Sequence, residues 1–214
     1  MTDEPVASEP VRVRPYRPRD LDALYQICLL TGRDGDDATA LYRDPWLIGH
    51  VHAAPYGIFQ PSLAFVAEDD AGVGGYVLGA LDTLAFEARL ERDWWPRLRG
   101  RYPQAPADVP PERWTTDQRK ADQIHHPWPA EPDLTARYPS HLHIDLVPRL
   151  QSGGHGWRLM TTLIGALREQ GSPGVHLHVR ANNERAVGFY RHLGFTELRS
   201  NENYSSITFG MDLR

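Results

Sequence analysis

Residues 140–195 constrain this chain more than any other stretch: SHLHIDLVPRLQSGGHGWRLMTTLIGALREQGSPGVHLHVRANNERAVGFYRHLGF. His141, His143 and Asp145 alternate with Leu142, Ile144 and Leu146, the period of a strand with one polar and one apolar face. A glycine-rich turn follows at 151–156, and behind it apolar residues recur at helical spacing. A second strand over 175–179 leads to a helix over 184–193. In that order of parts, backbone N–H groups at the first helix's N-terminus point outward and favour an anion such as pyrophosphate. Two other phosphate-binding readings fail on residues. No Gly-Lys-Ser/Thr is present, and Leu159 stands where a dinucleotide fingerprint needs its third glycine.

The chain's 214 residues suit one domain, expected over 11–214 with an insertion at about 84–139, behind a disordered tail at 1–10. A formal charge of −5 disfavours non-specific nucleic-acid binding, and no apolar run reaches the roughly 20 residues of a membrane span. Cys28 is the sole cysteine, so no internal disulfide forms and a cytoplasmic location is expected. Its neighbours, LYQICLL, mark a buried helix thiol rather than a nucleophile. Lys120 is the one lysine among many arginines. The expected assembly is a monomer or a homodimer.

Along the chain, 11–16 reads as an edge strand, and Asp20 is placed to N-cap a helix to residue 30. An acidic turn with Asp34, Asp36 and Asp37 precedes a short helix at 38–42. The Pro- and Gly-punctuated stretch 44–61 reads as a long ordered loop. Strands at 63–68 and 75–80 form a hairpin, and one helix spans 84–98. Between 100 and 139 eight prolines recur with Trp114 and Trp128. So long a structureless segment is unusual in a compact domain, and the tryptophans predict that it packs on the body as a lid or substrate wall. Two strands, at 196–200 and 205–211, complete a mixed α/β domain.

Gln151-x-x-Gly154-x-Gly156 at a helix start, after strand and Val147-Pro148, resembles the acetyl-CoA motif of the GNAT N-acetyltransferase superfamily. Asn183-x-x-Ala186-x-x-Phe189-Tyr190-x-x-x-Gly194-Phe195 resembles its second cofactor motif. Tyr76-Val77-Leu78-Gly79, Asp82-Thr83, Trp94-Trp95-Pro96 and Tyr138-Pro139-Ser140 are similar to the acetyltransferase-like C-terminal domain of O-GlcNAcase and its free-standing bacterial relatives. The eukaryotic domain is regarded as a pseudo-acetyltransferase with a degraded cofactor site, whereas the glycine loop here is intact.

The resemblance implies a mixed, mostly antiparallel sheet flanked by helices, with acetyl-CoA held between two splayed strands at 141–147 and 175–179. The pyrophosphate would rest on Gln151, Ser152, Gly153, Gly154, His155 and Gly156, with Trp157 beside them. The pantetheine arm would run along Leu146 and Val147, whose backbone N–H would also steady an oxyanion. Asn183, Ala186, Phe189 and Tyr190 would complete the cofactor site, with Asn183 binding cofactor or capping its helix. Tyr190 would protonate the departing thiolate, or else simply pack as an aromatic.

Acetyl transfer to an amine needs a base, because a protonated amine does not attack a thioester. A histidine titrating near neutrality suits the task, and His141-Leu142-His143 resembles the pair in arylalkylamine N-acetyltransferases. Either histidine could serve, with Asp145 orienting it or meeting the amine; a structural role is the competing reading. Metal binding is disfavoured, since no further ligands stand at fixed spacing. The expected reaction is direct transfer from acetyl-CoA to an amine-bearing small molecule or basic peptide. The alternative is a binding module without turnover. The acidic turns at 34–37 and 68–70 are expected to be solvated rather than acceptor-binding.

Overall fold

The computed structural model describes residues 11–201 and 205–214. The expected tail at 1–10 lies outside the described residues. In chain order the elements are β1 (Arg12–Pro15), α1 (Leu21–Thr31), α2 (Leu47–His52), α3 (Ala54–Phe59), β2 (Ala64–Asp69), β3 (Gly72–Ala80), α4 (Thr83–Asp93) and α5 (Trp95–Arg101). There follow α6 (Thr116–His125), α7 (Pro132–Arg137), β4 (Ser140–Leu146), α8 (His155–Glu169), β5 (Gly174–Arg180), α9 (Glu184–His192), β6 (Thr196–Asn201) and β7 (Ser206–Asp212). Among the described residues they build a seven-stranded sheet in the order β1-β2-β3-β4-β5-β7-β6. Only β4 and β5 run parallel; the other neighbours are antiparallel.

Side-chain alternation splits the core into two layers. Tyr76, Leu78 and Ala80 of β3 face Leu24, Ile27 and Cys28 of α1 and the helices beyond it, in one buried cluster. Val77 and Leu142, on the opposite face, pack with Leu159, Met160, Leu163 and Leu167 of α8 in a second. Both strand and helix periodicities of 140–195 are thus used as the sequence implies.

The N-terminal half departs from expectation in four places. The stretch 44–61 holds two helices, because α2 and α3 bury Leu47, Ile48, Val51 and Tyr56 against α1 and β3. The expected helix at 38–42 is a 3-10 turn over Thr39–Leu41. The helix expected over 84–98 breaks into α4 and α5 at Trp94, with Pro96 seated in the first turn of α5, where its missing N–H is harmless. Asp20 does not cap α1. Its carboxylate accepts from Arg17 N–H (2.8 Å) and from Arg14 Nη1 (2.7 Å), so it pins β1 to the following turn instead.

The segment 100–139 does pack on the body, but helix α6 anchors it rather than the tryptophans. Ala121 and Ile124 enter the first core layer, and Asp117 accepts the backbone N–H of Arg43 (3.1 Å) and Asp44 (3.2 Å). Trp114 bonds within its own segment, to Val109 O (2.8 Å), and Trp128 is exposed. A capping box of Thr115 and Gln118 starts α6.

Candidate active site

The site begins where β4 and β5 part. They pair at Ser140↔Val175 and His141↔His176 and no further. Val147 N–H reaches back to Gly74 O (2.9 Å), toward β3. Backbone groups alternate sides along a strand, so Leu146 and Ile144 turn theirs to the opened gap. Gln151 Nε2 holds the Leu146 carbonyl (2.7 Å), which leaves the Leu146 N–H facing the slot. Val147 is a correction. Its N–H goes to Gly74, its C=O accepts from Leu150 N (2.9 Å), and its side chain is buried, so it has no group to offer a pantetheine arm or an oxyanion.

Beyond β4 the chain rises into the N-terminus of α8. Gly154, at φ +75°, precedes the helix without a side-chain cap, so the first-turn amides stay open. A Cβ on Gly154 would project into open space, the space an anion would take, while one on Gly156 would meet Phe189 Cζ at 3.3 Å. Ser152 also sits at positive φ (+65°), which bends the loop around the cradle. His155 Nδ1 is buried there with no partner in the described structure. Gln151 Oε1 accepts from Arg185 Nη1 (2.6 Å), a cation at the cradle's rim that the sequence reading missed. Trp157 is 54% exposed on the first turn of α8, available to a flat ligand group.

The second motif supports this wall more than it lines it. Asn183 caps α9 through Ala186 N–H (3.1 Å), and its Nδ2 donates to Asp34 O (2.9 Å). Both ends of its amide are thus engaged within the protein, in keeping with the cap reading. Ala186 and Phe189 pack on the second core layer. Tyr190 is buried among Phe189, Phe195 and Phe209, and burial drives its phenol well above its ordinary value, so it carries its proton at neutral pH.

On the other face of the sheet β4 packs on α1, Tyr56 of α3 meets His141 and His143, and His52 of α2 meets His143; His141, His143 and Asp145 are all half-buried. His141 is saturated. Its Nε2 lies 2.7 Å from Tyr56 Oη and its Nδ1 2.8 Å from Thr83 Oγ1. Thr83 gives its own proton to Pro139 O (2.7 Å), which assigns the His141 proton to Nδ1 and makes Nε2 the acceptor from Tyr56. Burial and the neighbouring histidines hold His141 well below its usual range, and burial brings His143 down to about 4. Burial thus keeps both imidazoles uncharged at neutral pH.

Asp145 behaves otherwise. Burial lifts its carboxyl to about 7, against the pull of the hydrogen bond from Tyr76. Tyr76 Oη donates to Asp145 Oδ2 at 2.5 Å, across the register pair Tyr76↔Asp145. Cys28 lies behind this pair and hydrogen-bonds Tyr76. Burial pushes its thiol up to about 12, which leaves it inert, as its sequence context implied.

Three cleft residues escaped the sequence reading: Tyr56, His52 and Lys120. Lys120 Nζ donates to His52 Nε2 (2.8 Å) and Gln123 Oε1 (2.9 Å), and the His52 ring stands 5.8 Å from that of His143. Their partners lie far apart in sequence, and no local pattern announces them. The acidic turns, by contrast, are occupied within the protein: Asp34 pairs with Arg180, Glu68 with Arg14, and Asp69 with Arg149. Among the described residues, no group of three or more His, Cys, Asp or Glu side chains is placed to hold a metal ion, and no helix is long and apolar enough to cross a membrane.

Opened parallel strands ending in an uncapped glycine cradle suit a nucleotide-bearing acyl donor. A model of the Acetyltransferase (GNAT) family matches residues 35–195. The chain belongs to the GNAT acetyltransferase family. A GNAT chain so built resembles the crystal structure of SsHAT, at a TM-score of 0.85 and 39% identity over 95% of this chain and 98% of that one. It shares its fold with yncA from Salmonella typhimurium, solved with its cofactor acetyl-CoA (TM-score 0.59, 13% identity, 95% and 94% covered). Protein O-GlcNAcase of Rattus norvegicus is 27% identical over 195 residues, which are 90% of this chain but 21% of that protein. Protein O-GlcNAcase of Mus musculus matches to the same extent.

Proposed function

We propose that this GNAT domain transfers the acetyl group of acetyl-CoA directly to a primary amine carried by a small molecule or a peptide. The observation that carries the reading is the parting of β4 from β5, with an open α8 N-terminus at one end and Asp145 beside the gap. When bound, acetyl-CoA supplies an acyl group activated as a thioester. The chain's own residues do the rest. The amides from Ser152 to Gly156 and the Arg185 side chain hold the donor's phosphates. Leu146 N–H donates to the carbonyl oxygen where charge develops. Asp145 takes the amine proton, with Tyr76 fixing its carboxyl and His141 fixing Tyr56 on the opposite wall. Tyr190 gives its proton to the departing sulfur.

The donor enters from the α8 and α9 side and the amine from the cleft between β4 and helices α1, α2 and α6. The gap between the strands joins the two. Calorimetry with acetyl-CoA, followed by thiol release against a panel of amines and peptides, tests the reading. Binding with amine-dependent CoA release supports it. Binding without release across the panel would make the domain a binding module, and absence of binding would remove the donor assignment.

A further inference from the structure

Lys120 stands out because it places an amine on His52, beside His143 on the polar face of β4. It is the only lysine in the chain, and it stands on α6. Its Nζ is held by His52 Nε2 and Gln123 Oε1, and His52 in turn stacks edge-on against His143 (ring centroids 5.8 Å). Lys120 is half-buried, so the cleft reaches it without opening the core. The hydrogen bonds of Nζ go to neutral groups, in contrast to Arg14, Arg99 and Arg149, whose guanidinium groups are each matched to an acid. A buried lysine with only neutral partners is an amine ready to lose its charge. Burial indeed brings Lys120 down to about 8, so a sizeable fraction is neutral near physiological pH.

We infer that Lys120 is a self-acetylation site, an internal amine acceptor that takes the acetyl group from the domain's own donor. The inference rests on the proposed acetyl-donor reading. Lys120 Nζ, having released one proton to solvent, forms the new N–C bond as the donor's C–S bond breaks. The second Nζ proton passes to Asp145, and the sulfur leaves as the thiol with the proton from Tyr190. Tyr190 is restored by the proton held on Asp145 once solvent has exchanged it. The sum is one lysine ammonium and one acetyl thioester giving one acetyl-lysine, one free thiol and one proton. Acetyl-Lys120 would lose its donor bond to His52 as a cation and fill the acceptor end of the cleft.

The sole-lysine composition makes the test clean, since the α-amino group is the only competing amine. The full chain is incubated with acetyl-CoA and no acceptor, and the product is read by intact mass and by peptide mapping. Donor binding is measured separately by calorimetry on the same samples. In parallel the free protein is labelled with a small amine-reactive reagent over a pH series. The expected results are one acetyl group on the Lys120 peptide, none there in Lys120→Arg or Lys120→Gln, and modification at least ~100-fold slower in Asp145→Asn that still binds donor. Reagent labelling of Lys120 should rise with a midpoint near 8 and fall when acetyl-CoA is added. Lys120 left unmodified while the donor binds, or acetylated equally fast in Asp145→Asn, overturns the inference and leaves transfer to external amines standing. Failure of the donor to bind overturns both.

Discussion

At the scale of single residues, the proposed chemistry rests on one carboxyl, Asp145, and one phenol, Tyr190. Asp145 must be ionised to accept a proton, so turnover should rise with pH through about 7. Asp145→Asn should lower the rate by ~100- to 10,000-fold and abolish that acid limb. His143→Ala should leave the limb's midpoint in place, since His143 titrates near 4. Thiol release across pH 5–9 reads both, and a midpoint that moves with His143 instead of Asp145 would reverse the assignment. Tyr190→Phe should cost turnover only about tenfold, because a thiol leaving group has a pKa near 8.5 and departs without obligatory protonation. Asp145 was visible in the sequence as one of three residues on a polar strand face, but its role was not. Tyr76 lies 69 residues before it, and only tertiary pairing brings the phenol to the carboxylate.

At the scale of elements, the glycine cradle and the α9 cap carry separable consequences. Gly154→Ala places a Cβ at φ +75°. That strain is of order 1–2 kcal/mol, and the new methyl enters the space proposed for phosphate. Calorimetry should show weakened acetyl-CoA binding with the helix still formed. Asn183→Ala removes the Ala186 cap and the tie to Asp34 and should destabilise by roughly 1 kcal/mol in denaturant unfolding. Donor affinity should change far less, because the amide is spent inside the protein. An affinity loss without a stability loss would return Asn183 to the cofactor site. Elements of the C-terminal third were legible because their periodicity and their turn residues agree. Helices α2 and α3 were not, since Gly49, Pro55 and Gly57 read as breakers. Their burial against Tyr25, Leu24 and Tyr16 outweighs local propensity.

At the scale of the whole molecule, the buried titratable groups act on stability with opposite signs. Asp145 is raised, so the folded chain keeps a proton there that the unfolded chain has lost; its contribution is present at low pH and fades as pH climbs through about 7. His50, His143 and His176 are lowered to about 4, so their contribution is present above 6.5 and lost as pH falls through about 4. The histidines outnumber the aspartate, and the Tm is expected to drop between pH 7 and pH 4. In Asp145→Asn, which lacks the opposing contribution, that drop should be steeper; thermal melts over the range check it, and a shallower drop would contradict the burial argument. The mixed, mostly antiparallel sheet was implied by the family resemblance, and the alternation of β4 and the helical spacing of α8 were legible in the sequence, whereas the strand order and the two core layers emerge only from the fold. The polar cluster beside β4 was not legible, because its members come from separate helices, and Lys120 and His52 lie 68 residues apart.

The central claim is that the gap between β4 and β5 seats acetyl-CoA with its reacting carbonyl at Leu146 N–H and next to Asp145. A crystal structure of the chain with acetyl-CoA, or with a non-transferable thioether analogue, tests it most directly. The expected result is the donor running through the gap, its phosphates on the amides of 152–156 and its acyl oxygen on Leu146 N–H. A donor bound elsewhere on the molecule, or bound there with its acyl group turned away from Asp145, would contradict the account.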